Sequence, residues 1–490
     1  MPQFLVVYTS SRRPYLWLCA LVALYGALLV IYSETSAFTF DETYHLLAAQ
    51  LIGDGHTPYL DFCFPQTPLN AYWNAVCLRA FGQSWHVTHF FAALFTIAAV
   101  ALIGDYAFRR FPAPEWRFAA ALTALCTFGL NAPVVVYGSV QAYGICLFGL
   151  AAAFRIAVRA VDRPSPVPAA LVGCFAGVAA ASSLLTFTAS PVFLLWLLFY
   201  NRAGSRVKKF LAFAAAAAIP FAPVWWLFAR GFSQTWFNLF RYHVYFRRLY
   251  WPETTQHDLE ILTSWIDSGH ALLLGLLGVS GLIFVVRRSQ WPHAVKAEYY
   301  LCAWLAAVLA ATVGRAHPTF SRYFLLTTPF LGILAAAGLY SIASRVLDCP
   351  RPLWPAWLLV FLFALGAGKT LYERRENDNW ANYERVAAKV NQITPPGALI
   401  FGDEPIYFLA HRTPPPGYEL SYTHKVVLPP AEGALMHILT DAQVKAQVQS
   451  GMFATAYSCA DEDTTYGFKE MYQQHVDLEG CTIYWSLVRH

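Results

Sequence analysis

The sequence predicts an all-α polytopic membrane protein of about 11 transmembrane helices, followed by a small C-terminal α/β domain. Three observations carry that prediction. The 490 residues are 57% hydrophobic, 16% aromatic and only 13% charged, with a mean hydropathy of +0.42; a soluble protein of this size could not keep so apolar a surface in water. Apolar runs of spanning length recur along the first three quarters of the chain. The charge balance then reverses: residues 1–371 hold 25 Lys and Arg against 14 Asp and Glu, and residues 372–490 hold 9 against 15. The first region reads as a membrane-embedded domain, 1–371, and the second as a soluble domain, 372–490. The net charge of +5 does not point to nucleic acid, because the basic residues are dispersed among membrane loops.

Spans are expected near 15–33, 86–108, 116–132, 139–158, 208–229, 268–286, 298–314, 320–343 and 353–371. The run 167–200 is about twice the length of one span and breaks at Ser182-Ser183, so it reads as two short crossings, 167–182 and 184–200. Arg12-Arg13 followed by 15–33 has the outline of a signal peptide. The apolar run is long, however, and SETSAFTFDE lacks a small-x-small cleavage site, so it reads as an uncleaved first span.

The segment 68–81 (PLNAYWNAVCLRAF) decides the orientation. It is apolar but short, and it carries Arg79. If it does not cross, the cytoplasmic loops hold 17 Lys and Arg and the outer loops 8; if it crosses, the count becomes 10 inside and 15 outside. The positive-inside rule selects the first arrangement. Residues 68–81 then form an amphipathic helix along the outer interface, where Tyr72 and Trp73 suit that depth. The loops 34–85, 230–266 and 315–322 and the tail 372–490 all fall outside the cytoplasm.

In the tail, the apolar spacing of Tyr383, Val386, Ala387 and Val390 predicts a surface helix stopped by Pro395-Pro396-Gly397. ALIFG (398–402) predicts a buried strand, IYFLA (406–410) a second apolar element and CTIYWSLV (481–488) a final strand. None of the ten cysteines forms a CxxC or zinc-like cluster. Cys459 and Cys481 can pair if the tail faces an oxidising compartment.

Three clusters have residues suited to chemistry. The first is Asp41-Glu42, just after the first span, with His45, Asp54, His56, Tyr59 and Asp61 in the same loop. Asp41 or Thr39 can serve simply as the N-cap of the helix that opens there. A carboxylate at a membrane surface is equally suited to deprotonating an acceptor hydroxyl or to holding a divalent cation. The second is RYHVYFRRLYW (241–251), where arginines, among them Arg247 and Arg248, interleave with aromatics. It reads either as an interfacial belt or as a site for a lipid-linked phosphate. The third is Arg315, His317, Arg322 and Tyr323, which are either cations snorkelling at span ends or groups neutralising a leaving phosphate. Gly173 and Gly177 read as helix-packing residues. His86 and His89, near the start of a span, read as interfacial.

The acidic pair, the G-x-x-P-Y-x-D stretch from Gly55 to Asp61 and the P-x-x-P-L turn from Pro65 to Leu69 together resemble the membrane GT-C glycosyltransferases. The nearest likeness is to bacterial relatives of the protein O-mannosyltransferases and of the aminoarabinose transferase acting on lipid A. It extends to residues 173–191, 317–336 and 400–415. The resemblance implies a GT-C fold in the bacterial inner membrane, with the active face and the tail extracytoplasmic. It implies transfer of a sugar from a polyprenyl phosphate to a lipid, glycan or protein hydroxyl, with inversion and no nucleic-acid partner. Asp41 would be the general base and Glu42 its support. Arg322, Arg315, His317, Arg247 and Arg248 would face the donor phosphate, and His45, Tyr59, Asp61 and Tyr323 would line the substrate loop. No metal ligand set and no certain cofactor follow, although a divalent cation is compatible. The sequence departs from the family at Phe64, Gln66 and Thr67, where a Glu-Lys pair is usual. It departs again at Leu184 or Leu185 in place of a lysine, and at Gln141 in place of an aspartate. A transporter or flippase, which would place ionisable residues at mid-membrane and show inverted repeats, and a non-catalytic envelope-assembly subunit are the competing readings.

Overall fold

The computed structural model describes residues 12–140, 142–249, 254–287, 290–345, 353–375, 379–459 and 462–488. Helices occupy all eleven expected spans. Among the described residues, seven are long and apolar enough to cross a membrane: Arg12–Thr35, Trp85–Arg110, Arg206–Arg230, Gly269–Arg287, His293–Gly314, Ser321–Ser344 and Leu353–Glu373. Val167–Ser182 and Leu184–Tyr200 are shorter apolar helices. The remaining two are Arg117–Gly129, of 13 residues, and Tyr143–Arg159, of 17. Asn131 and Pro133 end the first of these early and start a separate short helix, Ala132–Tyr137. Every residue from Ala119 to Gly129 is buried, so this helix lies inside the bundle, not against lipid.

The chain forms two compact units. One comprises Met1–Ser33, Phe90–Pro220 and Gln256–Arg375, and the other Glu34–His89, Phe221–Thr255 and Glu376–His490. The first is a helical bundle whose core is built from Leu, Ile, Val, Ala and Phe. Close backbone contact holds it together, since lipid-facing helices gain no hydrophobic drive from meeting one another. A side chain at Gly281 would overlap the carbonyl of Leu334, and one at Gly338 that of Leu277, so helices Gly269–Arg287 and Thr328–Arg345 touch along their backbones. Gly173 and Gly177 do the same against Phe213 and Ala217, the packing role expected of them. A buried carboxylate inside this unit is paired. Glu298 accepts from Tyr106 Oη at 2.9 Å and from Arg110 Nε at 3.1 Å.

The second unit joins the tail to two earlier segments. Four helices are labelled here: α1, Arg12–Thr35; α2, Phe40–Gly53; α3, Leu69–Phe81; and α4, Trp85–Arg110. α3 covers the segment expected to be amphipathic. Asn70, Ala71, Asn74, Ala75, Cys77 and Leu78 are buried on one side, Tyr72 and Trp73 are half-buried, and Val76, Arg79 and Phe81 are exposed. The tail helix Trp380–Ile393 buries Tyr383, Val386, Ala387 and Val390, the four residues whose spacing predicted it. It is capped by the Asn379 side chain on the Asn382 amide at 3.1 Å.

Four strands follow: β1, Ile400–Phe401; β2, Thr455–Ser458; β3, Tyr472–Leu478; and β4, Cys481–Leu487. Their order is β1-β2-β4-β3. β1 and β2 are parallel, with Ile400 opposite Thr455, whereas β4 runs antiparallel to both β2 and β3. Glu479 and Gly480 turn the β3–β4 hairpin with φ of 53° and 77°, the left-handed pair that a two-residue turn between twisted strands requires. The segment expected as a second apolar element is the short helix Glu404–Leu409.

Cys459 and Cys481 form a disulfide, at a separation of 22 residues. It ties the end of β2 to the start of β4 and closes a loop worth about 3 kcal/mol of unfolded-state entropy. Protein purified without reductant is expected to leave both cysteines unreactive to maleimide after denaturation. Cys481→Ser should then expose Cys459 to the reagent. Labelling of both in the unmodified protein would contradict the pairing.

Candidate active site

The acidic pair lies in the first turn of α2. The cap position belongs to Thr39, whose backbone carbonyl accepts from the Glu42 amide at 3.0 Å, so Asp41 is not the cap. Both carboxylates sit where the helix N-terminus favours negative charge. Consecutive residues on a helix point about 100° apart, and here that divides the pair. Asp41 is half-buried. Glu42 is turned inward, 2% exposed, and forms an ion pair with Nε2 of His89, which is 1% exposed. The other Glu42 oxygen, Oε2, is buried without a hydrogen-bond partner.

This pair was not legible in the sequence, which suggests an interfacial role for His89. The structure instead places the His89 ring edge-on to Trp85 and Trp380, at 4.9 and 6.5 Å between ring centroids. Trp85 stacks on Trp380 at 5.5 Å and donates its Nε1–H to Glu384 at 2.8 Å. One helical turn earlier, His86 Nδ1 meets Glu34 at 2.6 Å. The start of α4, the acidic turn of α2 and the tail helix are thereby locked together within one unit.

The other loop residues take structural positions. His45 is buried, stacks on Tyr44 at 4.5 Å and meets the Phe64 edge at 5.5 Å. Burial lowers its pKa to about 3, so it stays neutral, and its Nδ1 has no hydrogen-bond partner. Tyr59 is fully buried at a φ of 69°; it donates its hydroxyl to the Gln66 carbonyl at 2.5 Å and holds the proline turn. Asp61 is exposed and accepts the Thr57 amide at 2.6 Å, which closes the TPYLD turn.

The aromatic–arginine segment is helical from Phe232 to Leu249, with Phe237–Phe246 wound as a π-helix. It grips the proline turn. Asn238 accepts the Phe64 amide at 2.8 Å, and His243 donates to the Pro65 carbonyl at 2.8 Å. Burial lowers the His243 pKa to about 4, helped by the Arg247 charge and opposed by the Pro65 bond. Arg241 is engaged by Glu432 at 2.5 Å. Arg247 is half-buried, and the Arg248 side chain lies outside the described residues, as does Gln141. The tail completes this region: Val426, Leu428, Met436 and Ile438 pack on Cys63, Phe237 and Tyr242, and His437 donates to the Leu60 carbonyl at 2.6 Å.

The third cluster lies in the other unit. His317 Nδ1 is paired with Asp258, whose second oxygen accepts the Thr319 amide at 2.7 Å. Asp258 was not singled out in the sequence, and it holds the whole turn. Arg322 lies over the Phe320 ring, with Cζ 4.2 Å from the centroid. Tyr323 is buried, and Arg315 is exposed. Among the described residues, no three His, Cys, Asp or Glu side chains gather as a metal-binding group.

Buried carboxyls in the tail give a pH dependence. Glu419 accepts the Gly417 amide at 2.8 Å, yet burial raises its pKa to about 7; Glu404, which accepts from Ser421, is raised as well. The folded state thus binds a proton that the unfolded state releases from about pH 4.5 upward, and stability falls as pH rises towards 7. Glu419→Gln should remove the share of that fall due to Glu419 and stabilise the protein at pH 8 by up to ~3 kcal/mol, read by thermal unfolding across pH; an unchanged profile would contradict it. Glu42→Ala breaks the buried pair with His89 and should cost about 3–5 kcal/mol. Retention of wild-type thermal stability by that variant would show the pair to be dispensable.

No protein-family model matches the chain, and no curated protein matches it in sequence. Solved structures do match in fold. The structure of ArnT from Cupriavidus metallidurans bound to undecaprenyl phosphate superposes with a TM-score of 0.66 at 13% identity, over 95% of this chain and 97% of that one. The apo structure of the same protein gives a TM-score of 0.68 at 12% identity, with the same coverage. This chain therefore has the fold of ArnT, a GT-C polytopic membrane fold, along nearly its whole length.

Proposed function

We propose that this protein is a glycosyltransferase that moves a sugar from a polyprenyl phosphate to a hydroxyl of a lipid, glycan or protein acceptor, on the extracytoplasmic face and with inversion. The observation that carries the reading is the placement of the acidic pair in the first turn of α2, where Asp41 stands half-buried at the positive end of the helix and Glu42 beside it is paired with His89. The fold supports the donor class, since the ArnT structure that it matches was solved with undecaprenyl phosphate bound.

In this reading Asp41 takes the proton of the acceptor hydroxyl as its oxygen bonds to the anomeric carbon. The bond from that carbon to the phosphate oxygen breaks, and the polyprenyl phosphate leaves with the electron pair. The phosphate is a good leaving group, so the protein mainly aims the nucleophile and stabilises departing charge. Arg322, Arg315, Arg247 and Arg248 are the candidates for that second task. His317 would contribute through Nε2, because Asp258 holds its other nitrogen. The lysine usual in the resembling family is replaced here, so phosphate binding rests on arginines. Hexosyl and pentosyl donors both remain within the proposal.

Asp41→Asn is expected to lower sugar transfer from a polyprenyl-phosphate sugar by a factor of about 10²–10⁴ while the protein unfolds at the wild-type temperature. Transfer at the wild-type rate by the purified variant would remove Asp41 as the base.

A further inference from the structure

We propose that the groove between α1 and α4 is a binding site for an anionic diacyl phospholipid, separate from the donor site and independent of the transfer reaction. A groove of about 670 Å³ runs between these helices, within the ~300–1,000 Å³ typical of ligand pockets. Small residues within its α1 wall make room for it. Cys19, Ala23 and Ala27 follow one another at four-residue intervals and are all exposed, while Leu94, Ile97 and Ala101 of α4 form the opposite wall. Its lining extends along α1 from Tyr15 to Ile31, a length of ~24 Å at helical rise, against ~30 Å for a bilayer's hydrocarbon core. An extended fatty-acyl chain fits that length, and a long polyprenyl chain would overrun it.

The charge at one end selects the headgroup. Asp105 and Tyr15 close the groove there, and Asp105 is met by three arginines: Arg109 at 2.5 Å, Arg155, and Arg159 at 3.8 Å. Arg109 also reaches the Tyr15 hydroxyl at 3.2 Å. Three guanidiniums against one carboxylate leave a positive surplus. Arg155 is buried and holds Asp105, whereas the Arg109 and Arg159 side chains are 55% and 62% exposed. Arg12 and Arg13, both exposed, begin α1 at the same end. A lipid whose chain lies in the groove would present its phosphate to these forks, which match phosphate geometry. A purely apolar occupant, such as a helix of a second copy using the small-residue row, would leave the surplus unmatched.

The test is native mass spectrometry of the full-length protein, released from detergent after incubation with phosphatidylglycerol or with phosphatidylcholine at equal concentration. Phosphatidylglycerol is expected to be retained at least fivefold better. The double variant Arg109→Gln/Arg159→Gln should erase that preference, and Ala23→Phe should lose retention of either lipid with helicity unchanged. Equal retention of the two lipids, or a wild-type preference in the arginine variant, would overturn the proposal whatever Ala23→Phe does. So would efficient disulfide cross-linking through Cys19 between copies in the membrane, which would give the groove to a second chain. Displacement of phosphatidylglycerol by equimolar undecaprenyl phosphate would reassign the occupant and likewise overturn it. Because none of these readouts involves sugar transfer, their failure leaves the transferase reading standing, and the reverse.

Discussion

The buried pair of Glu42 and His89 is the constraint on which the acidic turn depends. Two ionisable groups with almost no solvent access tolerate each other only as partners. Their geometry fixes the rotation of α2 about its axis, and that rotation decides where Asp41 points. The same imidazole is framed by Trp85 and Trp380, so the tail helix is drawn into the same arrangement. The position of Asp41, the base in the proposed reaction, is thus tied to the pairing of its neighbour.

A second consequence concerns the tail. Residues 376–490 share one compact unit with 34–89 and 221–255. Asn238 and His243 hold the start of the proline turn at Phe64 and Pro65, and His437 holds the preceding turn at Leu60. Segments that flank separate membrane helices in the sequence therefore build a single frame. Their hydrogen bonds go to backbone carbonyls and amides, which explains how a loop rich in proline satisfies its polar groups without regular structure.

Much of this was legible in the sequence, for definite reasons. Apolar runs of spanning length marked the membrane helices, and the 3.6-residue spacing from Tyr383 to Val390 marked the tail helix, because burial against one side leaves a periodic trace. α3 was legible from its shortness and its arginine. The GT-C fold was legible only through the resemblance, in the acidic pair and the proline turns. Three things left no local trace. The partner of Glu42 lies 47 residues away and that of His317 lies 59 away, and nothing in their neighbourhoods distinguishes them from exposed polar residues. β3 is mostly exposed and polar, and β2 has only four residues, so neither shows a pattern long enough to register. Glu419 looks like any acidic residue of an acidic tail, and only its burial shifts its proton affinity upward.

The central claim is that the chain consumes a polyprenyl-phosphate sugar. Phosphorus NMR of the purified protein in lipid nanodiscs, supplied with polyprenyl-phosphate sugars and candidate acceptors, tests it most directly. The account predicts conversion of the donor's phosphodiester signal into that of free polyprenyl phosphate, in step with formation of a glycoside of inverted anomeric configuration. Persistence of the diester signal with every donor and acceptor of these classes, from protein that is folded, would contradict it.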